Sequence, residues 1–206
     1  GHKIHVDFQG TLRDNQRSAV EHLIKYDNGI LSAATAFGKT VVCCNLIACK
    51  KVNTLILLES SSLIDQWVKA VENFLLINEE LPTYKTKTGI LKTRKSNVGI
   101  LHGAKDTTTG IIDIAMVGTL YGKGKFHSRL QDYGMVIIDE CHHAASDTIQ
   151  RILQEVKAKY VYGVTATPIR EDGLDKINYI LIGPIRFRYS SRERAEEQGI
   201  EHLVYP

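Results

Sequence analysis

The sequence has no long apolar run and no paired cysteine motif, and each of these absences excludes a class of protein. No apolar stretch approaches the ~18 residues that a membrane span needs, and the N-terminus lacks the charged-then-apolar pattern of an export signal. The four cysteines, of which Cys43 and Cys44 are adjacent, do not have metal-ligand spacing, and we interpret them as core residues of a reduced protein. We therefore expect a soluble, cytoplasmic protein that does not bind a membrane.

The size and charge of the chain limit the possibilities further. Its 206 residues suit one α/β domain, since domains usually contain roughly 100 to 200 residues. Lysine and arginine total 26 against 23 acidic residues, and a formal net charge of +3 is weak support for a polyanionic partner. The chain opens with Gly1 and His2 rather than with methionine, so we expect residues 1–2 to be a cloning remnant. We expect the domain to span 3–189 and the charged tail, 190–206, to be an exit segment.

Short apolar runs alternate with segments of helical periodicity along most of the chain. This alternation is typical of βαβ units, so the sequence predicts a three-layer α/β domain with a mainly parallel central sheet. The predicted strands are Gly29–Ser32, Thr54–Leu58, Val98–Leu101, Ile111–Val117, Met135–Ile138 and Tyr160–Val164, and the predicted helices are Arg13–Lys25, Thr40–Lys50, Ser62–Ile77 and Ser146–Lys157.

A basic stretch, Tyr84–Lys95, contains five cationic residues and no acidic residue. Threonine and glycine are interspersed among the cations, which predicts an exposed loop or connector. Two interpretations stay open for this stretch: a solvated loop and a loop that contacts phosphates.

The segment Ala33–Thr40 matches the phosphate-loop pattern of alanine or glycine, four further residues, and then Gly-Lys-Thr. An apolar strand precedes it and a helical segment follows it, so backbone N–H groups and the positive end of a helix dipole would meet phosphate oxygens. Gly38 permits close approach, Lys39 would reach the β and γ phosphates, and the Thr40 hydroxyl would ligate Mg²⁺. Ala36 and Phe37 complete the loop. The sequence therefore predicts a nucleotide site, and since it lacks the Asn-Lys-x-Asp element of GTPases, we expect ATP.

A later apolar strand ends directly at two carboxylates, Asp139 and Glu140. Such a strand places charge beside the phosphates, so we assign Asp139 to Mg²⁺ and Glu140 to the attacking water as general base. Cys141, His142 and His143 follow, but zinc needs about four ligands and no second cluster is spaced to complete such a site. We interpret His142 as a sensor of the nucleotide or a hydrogen-bond partner of the next motif, with a histidine satisfied inside the fold as the alternative.

The order of three motifs resembles that of superfamily 2 helicases of the DEAD/DEAH type. These motifs are Gly38-Lys39-Thr40, the run Asp139–His142, and Thr165-Ala166-Thr167-Pro168. The continuation through 163–173 is most similar to the branch of XPB-like repair helicases and type III restriction enzyme motors, and the resemblance covers nearly the whole chain. It implies a RecA-like P-loop fold and an ATP-dependent helicase or translocase that acts on DNA, with RNA not excluded. It also implies that Thr165 and Thr167 couple nucleotide state to nucleic-acid binding; an ordinary exit from a strand is the alternative.

The resemblance further assigns residues to the base. Gln16 occupies the place of a glutamine whose amide reads the adenine edge, and an amide offers both a donor and an acceptor for that purpose. Arg13 would pack on the base or orient the loop. A solvated glutamine on a helix is the alternative for Gln16.

Nucleic-acid contacts are assigned in the same way. Ser60 and Ser61 follow a predicted strand, where hydroxyls and helix-start N–H groups would hold backbone phosphates, although serines there could equally be helix caps. Thr119 is a further candidate for a phosphate contact. Trp67 has helical spacing with neighbouring apolar residues, so we interpret it as core rather than as a base-stacking platform.

Helicases of this type hydrolyse ATP between two RecA-like domains, and the second domain contributes arginines that accelerate phosphoryl transfer by ~10³ to 10⁵. We expect this domain to need such a partner domain and to hydrolyse ATP poorly alone. Arg186, Arg188, Arg192 and Arg194 lie too early in the chain for that role, so we expect them to be solvated or to face phosphates. Two other functions stay open: an ATP-gated switch that binds nucleic acid without unwinding it, and the motor subunit of a restriction enzyme.

Overall fold

The computed structural model describes residues 1–166, 180–190, 192–193 and 195–196. The helices are α1 (Asp14–Leu23), α2 (Lys39–Lys50), α3 (Ile64–Phe74), α4 (Val117–Leu120) and α5 (Asp147–Glu155), with 3-10 turns at Ser61–Leu63 and Cys141–Ala145. The strands are β1 (Val6–Phe8), β2 (Asn28–Ala33), β3 (Thr54–Leu58), β4 (Leu75–Ile77), β5 (Thr83–Lys85), β6 (Leu91–Thr93), β7 (Val98–His102), β8 (Lys105–Asp106), β9 (Ile112–Met116), β10 (Tyr121–Gly122), β11 (Lys125–Phe126), β12 (Met135–Asp139), β13 (Tyr160–Thr165) and β14 (Ile185–Tyr189). None of the helices in these ranges has the length and apolar character needed to cross a lipid bilayer.

Eight strands form the central sheet in the order β14-β2-β13-β12-β3-β9-β7-β8. Every neighbouring pair is parallel except β7 and β8, which pair antiparallel at one edge. Because parallel strands end at the same edge of a sheet, the segments that follow β2, β13, β12, β3, β9 and β7 meet on one side of the domain. We call this side the carboxyl edge.

Alternate residues of each strand pack into two apolar clusters, one on each face of the sheet. Leu31 and Ile137 belong to the cluster that contains the buried residues of α1, α2 and α3. Their neighbours Ile30 and Ile138 belong to the other cluster, with the buried residues of α4 and α5. Strands buried on both faces need continuous apolar runs, which is why they could be recognised in the sequence. The prediction of a three-layer α/β domain with a mainly parallel sheet is confirmed.

Three local predictions are wrong. The helix predicted to reach Ile77 ends at Phe74, because Leu75–Ile77 pairs antiparallel with β1, a distant partner that helical periodicity does not reveal. Val117 begins α4 instead of ending a strand. Cys49 is exposed near the end of α2, whereas the other three cysteines are buried.

The basic stretch forms a hairpin, β5–β6, rather than a structureless loop. Thr83–Lys85 pairs antiparallel with Leu91–Thr93, and the turn closes through a hydrogen bond from Thr86 N to Ile90 O of 2.9 Å. Gly89 supplies the positive φ of 83° that this turn requires. The lysines of the hairpin are exposed, as predicted, but the threonines that suggested a loop lie in and beside short strands.

Candidate functional site

The phosphate-loop segment joins β2 to α2 at the carboxyl edge. It leaves the sheet at Ala33, and α2 begins at Lys39, so Lys39 and Thr40 lie in the first helical turn. The Lys39 ammonium donates to the Ala33 carbonyl at 3.2 Å, which holds the side chain across the loop. Gly38 and Ala36 have positive φ angles of 83° and 71°. A tight loop feeding a helix N-terminus with a lysine across it is suited to hold a polyphosphate.

Two residues at the start of α1 clamp this loop. The Gln16 amide donates to the Phe37 carbonyl at 2.8 Å, and its oxygen accepts from the backbone N–H of Arg13 at 2.9 Å. The Arg13 guanidinium also donates to the carbonyls of Ala36 and Phe37. Gln16 is only 5% exposed, so the alternative of a solvated glutamine is wrong. Arg13 thus contacts the loop directly, and its two assigned roles, packing on the base and orienting the loop, stay predictions.

The clamp explains why position 38 is glycine. A Cβ added to Gly38 would lie 2.4 Å from the Gln16 amide nitrogen, closer than any real contact of this kind. The positive φ would strain a larger residue as well. The amide of Gln16 uses one donor and one acceptor position in these contacts, and a primary amide has two of each. The assignment of Gln16 to adenine therefore stays a prediction.

Phe37 anchors the loop to the sheet from the other side. Its ring is 1% exposed and lies 4.9 Å from the ring of Tyr189 and 6.1 Å from that of Phe187, both on β14. The N–H of Ala34 donates to the Tyr189 carbonyl at 3.1 Å. β14 was not predicted from the sequence, because it is an edge strand without the continuous apolar run of the inner strands. The signal that could have revealed it is the alternation Ile-Arg-Phe-Arg-Tyr.

Asp139 ends β12, and its carboxylate is fixed by two N–H donors. One oxygen accepts from the Trp67 indole at 2.8 Å, and the other accepts from the backbone N–H of Glu140 at 2.8 Å. Trp67 is fully buried on α3, which agrees with its interpretation as a core residue. Its hydrogen bond to Asp139 was not anticipated, because the two residues are far apart in sequence and only the packing of α3 against the sheet brings them together.

Glu140 has a positive φ of 52°, a left-handed conformation that costs a non-glycine residue roughly 1 kcal/mol or more. Its side chain is 36% exposed, and one carboxylate oxygen lies 3.3 Å from Nδ1 of His142. The strained turn directs the Asp139 and Glu140 carboxylates to different partners. Such strain at the end of a strand is typical of functional sites.

His142 connects the acidic pair to β13. Its Nδ1 lies 2.8 Å from the hydroxyl of Thr165, which is buried at the end of that strand. Burial, together with the adjacent His143, lowers the pKa of His142 in spite of the nearby carboxylates, which favours the neutral ring. Thr165 is also in register with Ser32 of β2, the strand that leads into the phosphate loop. Thr167, the other predicted coupling residue, lies outside the described residues.

The donor set fits Mg²⁺ rather than zinc. A hydroxyl at Thr40 and a carboxylate at Asp139 supply the oxygen ligands that hard cations prefer. Each Asp139 oxygen accepts one N–H, and a carboxylate has about four lone-pair positions, so room remains for a metal-bound water. Zinc would need the Cys141 thiolate, but burial raises the pKa of Cys141 and so disfavours that form. His143 lies beside Glu59, with its Nδ1 3.8 Å from a carboxylate oxygen.

The predicted nucleic-acid contacts lie on the other half of the carboxyl edge. Ser60 and Ser61 are exposed just after β3, with the Ser60 hydroxyl 2.7 Å from that of Ser62. Thr119 lies in α4 after β9, and its hydroxyl accepts from the N–H of Gly103, which follows β7, at 3.0 Å. Because neighbouring strands lie roughly 4.8 Å apart, β2 and β3 are roughly 14 Å apart and β2 and β7 roughly 24 Å. The edge therefore has a phosphate-loop half and a hydroxyl-bearing half.

A parallel sheet with a phosphate loop and an acidic pair on nearby strand ends defines the class of RecA-like P-loop domains. The chain belongs to the family described as type III restriction enzyme, res subunit, whose family model matches residues 9–170. It is 31% identical to DNA 3'-5' translocase XPB2 of Sulfurisphaera tokodaii over 89% of this chain and 37% of that protein. The resemblance to the XPB-like and type III restriction branch is thereby confirmed.

Solved structures share the fold. The Sulfolobus solfataricus SWI2/SNF2 ATPase core in complex with dsDNA has a TM-score of 0.63 at 17% identity, over 86% of this chain and 37% of that one. The UvsW helicase of bacteriophage T4 has a TM-score of 0.64 at 15% identity, over 90% of this chain and 64% of that one. The chain thus spans well under half of the length of XPB2 and of the SWI2/SNF2 core.

Proposed function

We propose that this chain, over residues 3–189, is the ATP-binding RecA-like domain of an ATP-dependent DNA helicase or translocase. The observation that carries this proposal is the shared carboxyl edge, where a clamped phosphate loop and an acidic pair adjoin a row of exposed and half-buried hydroxyls. The named activity of the XPB2 relative, a DNA 3'-5' translocase, supports DNA as the polymer and movement along it as the output.

At the phosphate-loop half, ATP is held by the loop N–H groups and by Lys39, with Gln16 at the adenine. Mg²⁺, when bound, would neutralise charge on the β and γ phosphates, and Thr40 and Asp139 would hold it. Glu140 accepts a proton from the attacking water as general base. Its carboxylate is part-exposed and lies 3.3 Å from Nδ1 of His142, whose lowered pKa favours the neutral ring, which suits a group that must receive a proton.

Coupling to the polymer runs through β13. The 2.8 Å contact between His142 and Thr165 ties the strand that bears Glu140 to the strand next to the phosphate loop. Thr165 and Thr167 then respond to the nucleotide and alter the hydroxyl-bearing half of the carboxyl edge. There Ser60, Ser61 and Thr119 offer hydroxyl and N–H donors to backbone phosphates.

A second RecA-like domain completes the site in this proposal by supplying a transition-state arginine. The XPB2 relative is more than twice as long as the matched region. Arg186 is not suited to that role, because it hydrogen-bonds Asn28 at the far end of β2 and stacks 3.6 Å over the Tyr26 ring. Arg192 pairs with Glu196 at 3.1 Å, and Arg194 lies outside the described residues.

The proposal is tested by nucleotide binding and turnover. Lys39→Ala should abolish ATP binding, whereas Lys69→Ala, which removes an equal charge from an exposed position on α3, should not. Unchanged ATP affinity in Lys39→Ala would overturn the phosphate-loop assignment. The 206-residue chain should hydrolyse ATP slowly even with DNA, and robust DNA-stimulated turnover would contradict the need for a second domain.

A longer form with both domains separates the remaining functions. DNA-stimulated hydrolysis with movement along the strand is the expected result. Stimulated hydrolysis without movement would instead identify an ATP-gated binding switch, and equal stimulation by RNA would remove the preference for DNA.

A further inference from the structure

The positive charge of the chain is concentrated in one segment, 81–105. It contains six lysines and arginines and no acidic residue, namely Lys85, Lys87, Lys92, Arg94, Lys95 and Lys105. Since the whole chain has a formal net charge of +3, these six uncompensated cations leave the remainder at −3. The small overall charge therefore hides a strongly cationic segment on an otherwise slightly acidic molecule.

The segment surrounds an open groove of about 600 Å³ along the β8 edge of the central sheet. One wall is the β6 side of the hairpin with the residues that follow it, and the other is the edge of β7 and β8. Four cations line it together with hydroxyls and one aromatic ring; the lining residues are Tyr84, Lys92, Thr93, Arg94, Lys95, Ser96, Val98, Lys105 and Thr107.

Contacts within the groove fix part of this charge in place. The Arg94 guanidinium lies 3.9 Å over the Tyr84 ring, and the backbone N–H of Arg94 donates to the Pro82 carbonyl at 2.7 Å. The nearest acid in sequence, Asp106, is occupied by Thr108 and by His127 at 2.9 Å. Burial opposes ionisation of Asp106, but its hydrogen bonds with Thr108 and His127 outweigh burial and lower its pKa. No ion pair joins a cation of the groove to an acid within the part of the chain that the structure describes, so these cations can meet an external anion.

The groove also continues the hydroxyl-bearing half of the carboxyl edge. Thr119 bonds the N–H of Gly103, and the adjacent His102 is in register with Lys105, which lines the groove. A backbone that lies across Thr119 would reach Lys105 and then the hairpin without leaving the surface. In the order of the strands, the groove at β8 lies six strands from β2, which leads into the phosphate loop.

We propose that the hairpin groove binds the phosphodiester backbone of the nucleic acid, as a second contact beyond the carboxyl edge. This inference rests on the proposed function, because it assumes that nucleic acid is the polymer. Lysines and a stacked arginine between hydroxyl groups recognise phosphates without reading sequence. The groove would therefore add affinity and hold the polymer in register, and would add no base preference.

Charge-matched variants test this proposal. Lys92→Gln, Lys95→Gln and Lys105→Gln together remove three exposed cations that make no ion pair among the described residues. The control combines Lys3→Gln, Lys25→Gln and Lys157→Gln, which are exposed near the amino ends of β3, β2 and β13 and remove the same charge. Binding of each chain to a short fluorescein-labelled DNA duplex of mixed sequence is measured by anisotropy over a series of salt concentrations, beside its ATP affinity.

The groove variant should bind the duplex at least about tenfold more weakly at low salt, and its slope of log K against log salt should be smaller by about 3. The control variant should keep the slope and affinity of the parent chain. Equal slopes in the two variants would overturn the groove assignment and leave the proposed function standing. Failure of the parent chain to bind the duplex at low salt would also overturn the groove assignment. The phosphate-loop site is tested separately by ATP affinity, and only loss of ATP binding would count against it.

Discussion

Trp67→Phe isolates the hydrogen bond that positions Asp139. The indole N–H lies 2.8 Å from one Asp139 oxygen inside a fully buried environment, and phenylalanine retains an aromatic ring there but has no donor. A hydrogen bond to a charged group contributes about 1.5 to 3 kcal/mol, and removing an outer partner of a metal ligand typically lowers metal affinity by about 10- to 100-fold. We therefore expect the gain in ATP affinity that Mg²⁺ provides to fall by at least about tenfold in this variant.

The assay compares ATP affinity with Mg²⁺ and with a chelator in the same preparation. Because the phosphate loop is untouched, affinity without Mg²⁺ should stay at the parent value. Val71→Ala is the matched control, since it also removes volume from the buried face of α3 but alters no hydrogen-bond donor. An equal Mg²⁺-dependent gain in Trp67→Phe and the parent chain would refute the positioning role, as would an equal loss in Val71→Ala.

Two further substitutions test the loop clamp and a buried hydrogen bond of Asp113 on β9. Gly38→Ala should weaken ATP binding because its Cβ would force the Gln16 amide to shift away from the loop, whereas Gly89→Ala, at the same φ of 83° but in open space, should lower stability by about 1 kcal/mol and leave ATP affinity unchanged; similar ATP affinities in the two would contradict the clamp. Tyr133→Phe removes a buried 2.6 Å hydrogen bond to Asp113, so urea unfolding should show a loss of about 1.5 to 3 kcal/mol with ATP binding retained. An unchanged unfolding midpoint would show that this bond contributes nothing.

Much of the sheet could be predicted because its strands are buried on both faces. Nearly continuous apolar runs such as Thr54–Leu58 and Met135–Asp139 are typical of the inner strands of a parallel sheet. The phosphate loop and the acidic pair could be predicted for a different reason, which is that their chemistry needs particular residues in a short contiguous stretch. Their placement on one edge then follows from parallel topology.

The contacts that tune the site could not be predicted in this way. Trp67 and Asp139 meet only through the packing of α3 on the sheet, and a buried tryptophan has the same sequence signature whether or not its N–H has a partner. Gln16 reaches the carbonyl of Phe37 only because α1 lies beside the loop. The hairpin was missed because its strands are short and polar, with a pattern that is also typical of loops.

Hydrogen–deuterium exchange, measured separately with ATP–Mg²⁺ and with a DNA duplex, tests most directly whether one sheet edge serves both ligands. ATP–Mg²⁺ should protect the phosphate loop and the start of α2, including Gly38 and Thr40. DNA should protect the segments around Ser61, Thr119 and Lys105 and leave the phosphate loop unchanged. Protection of the β7–β8 edge by ATP, or of the phosphate loop alone by DNA, would contradict this division of the site.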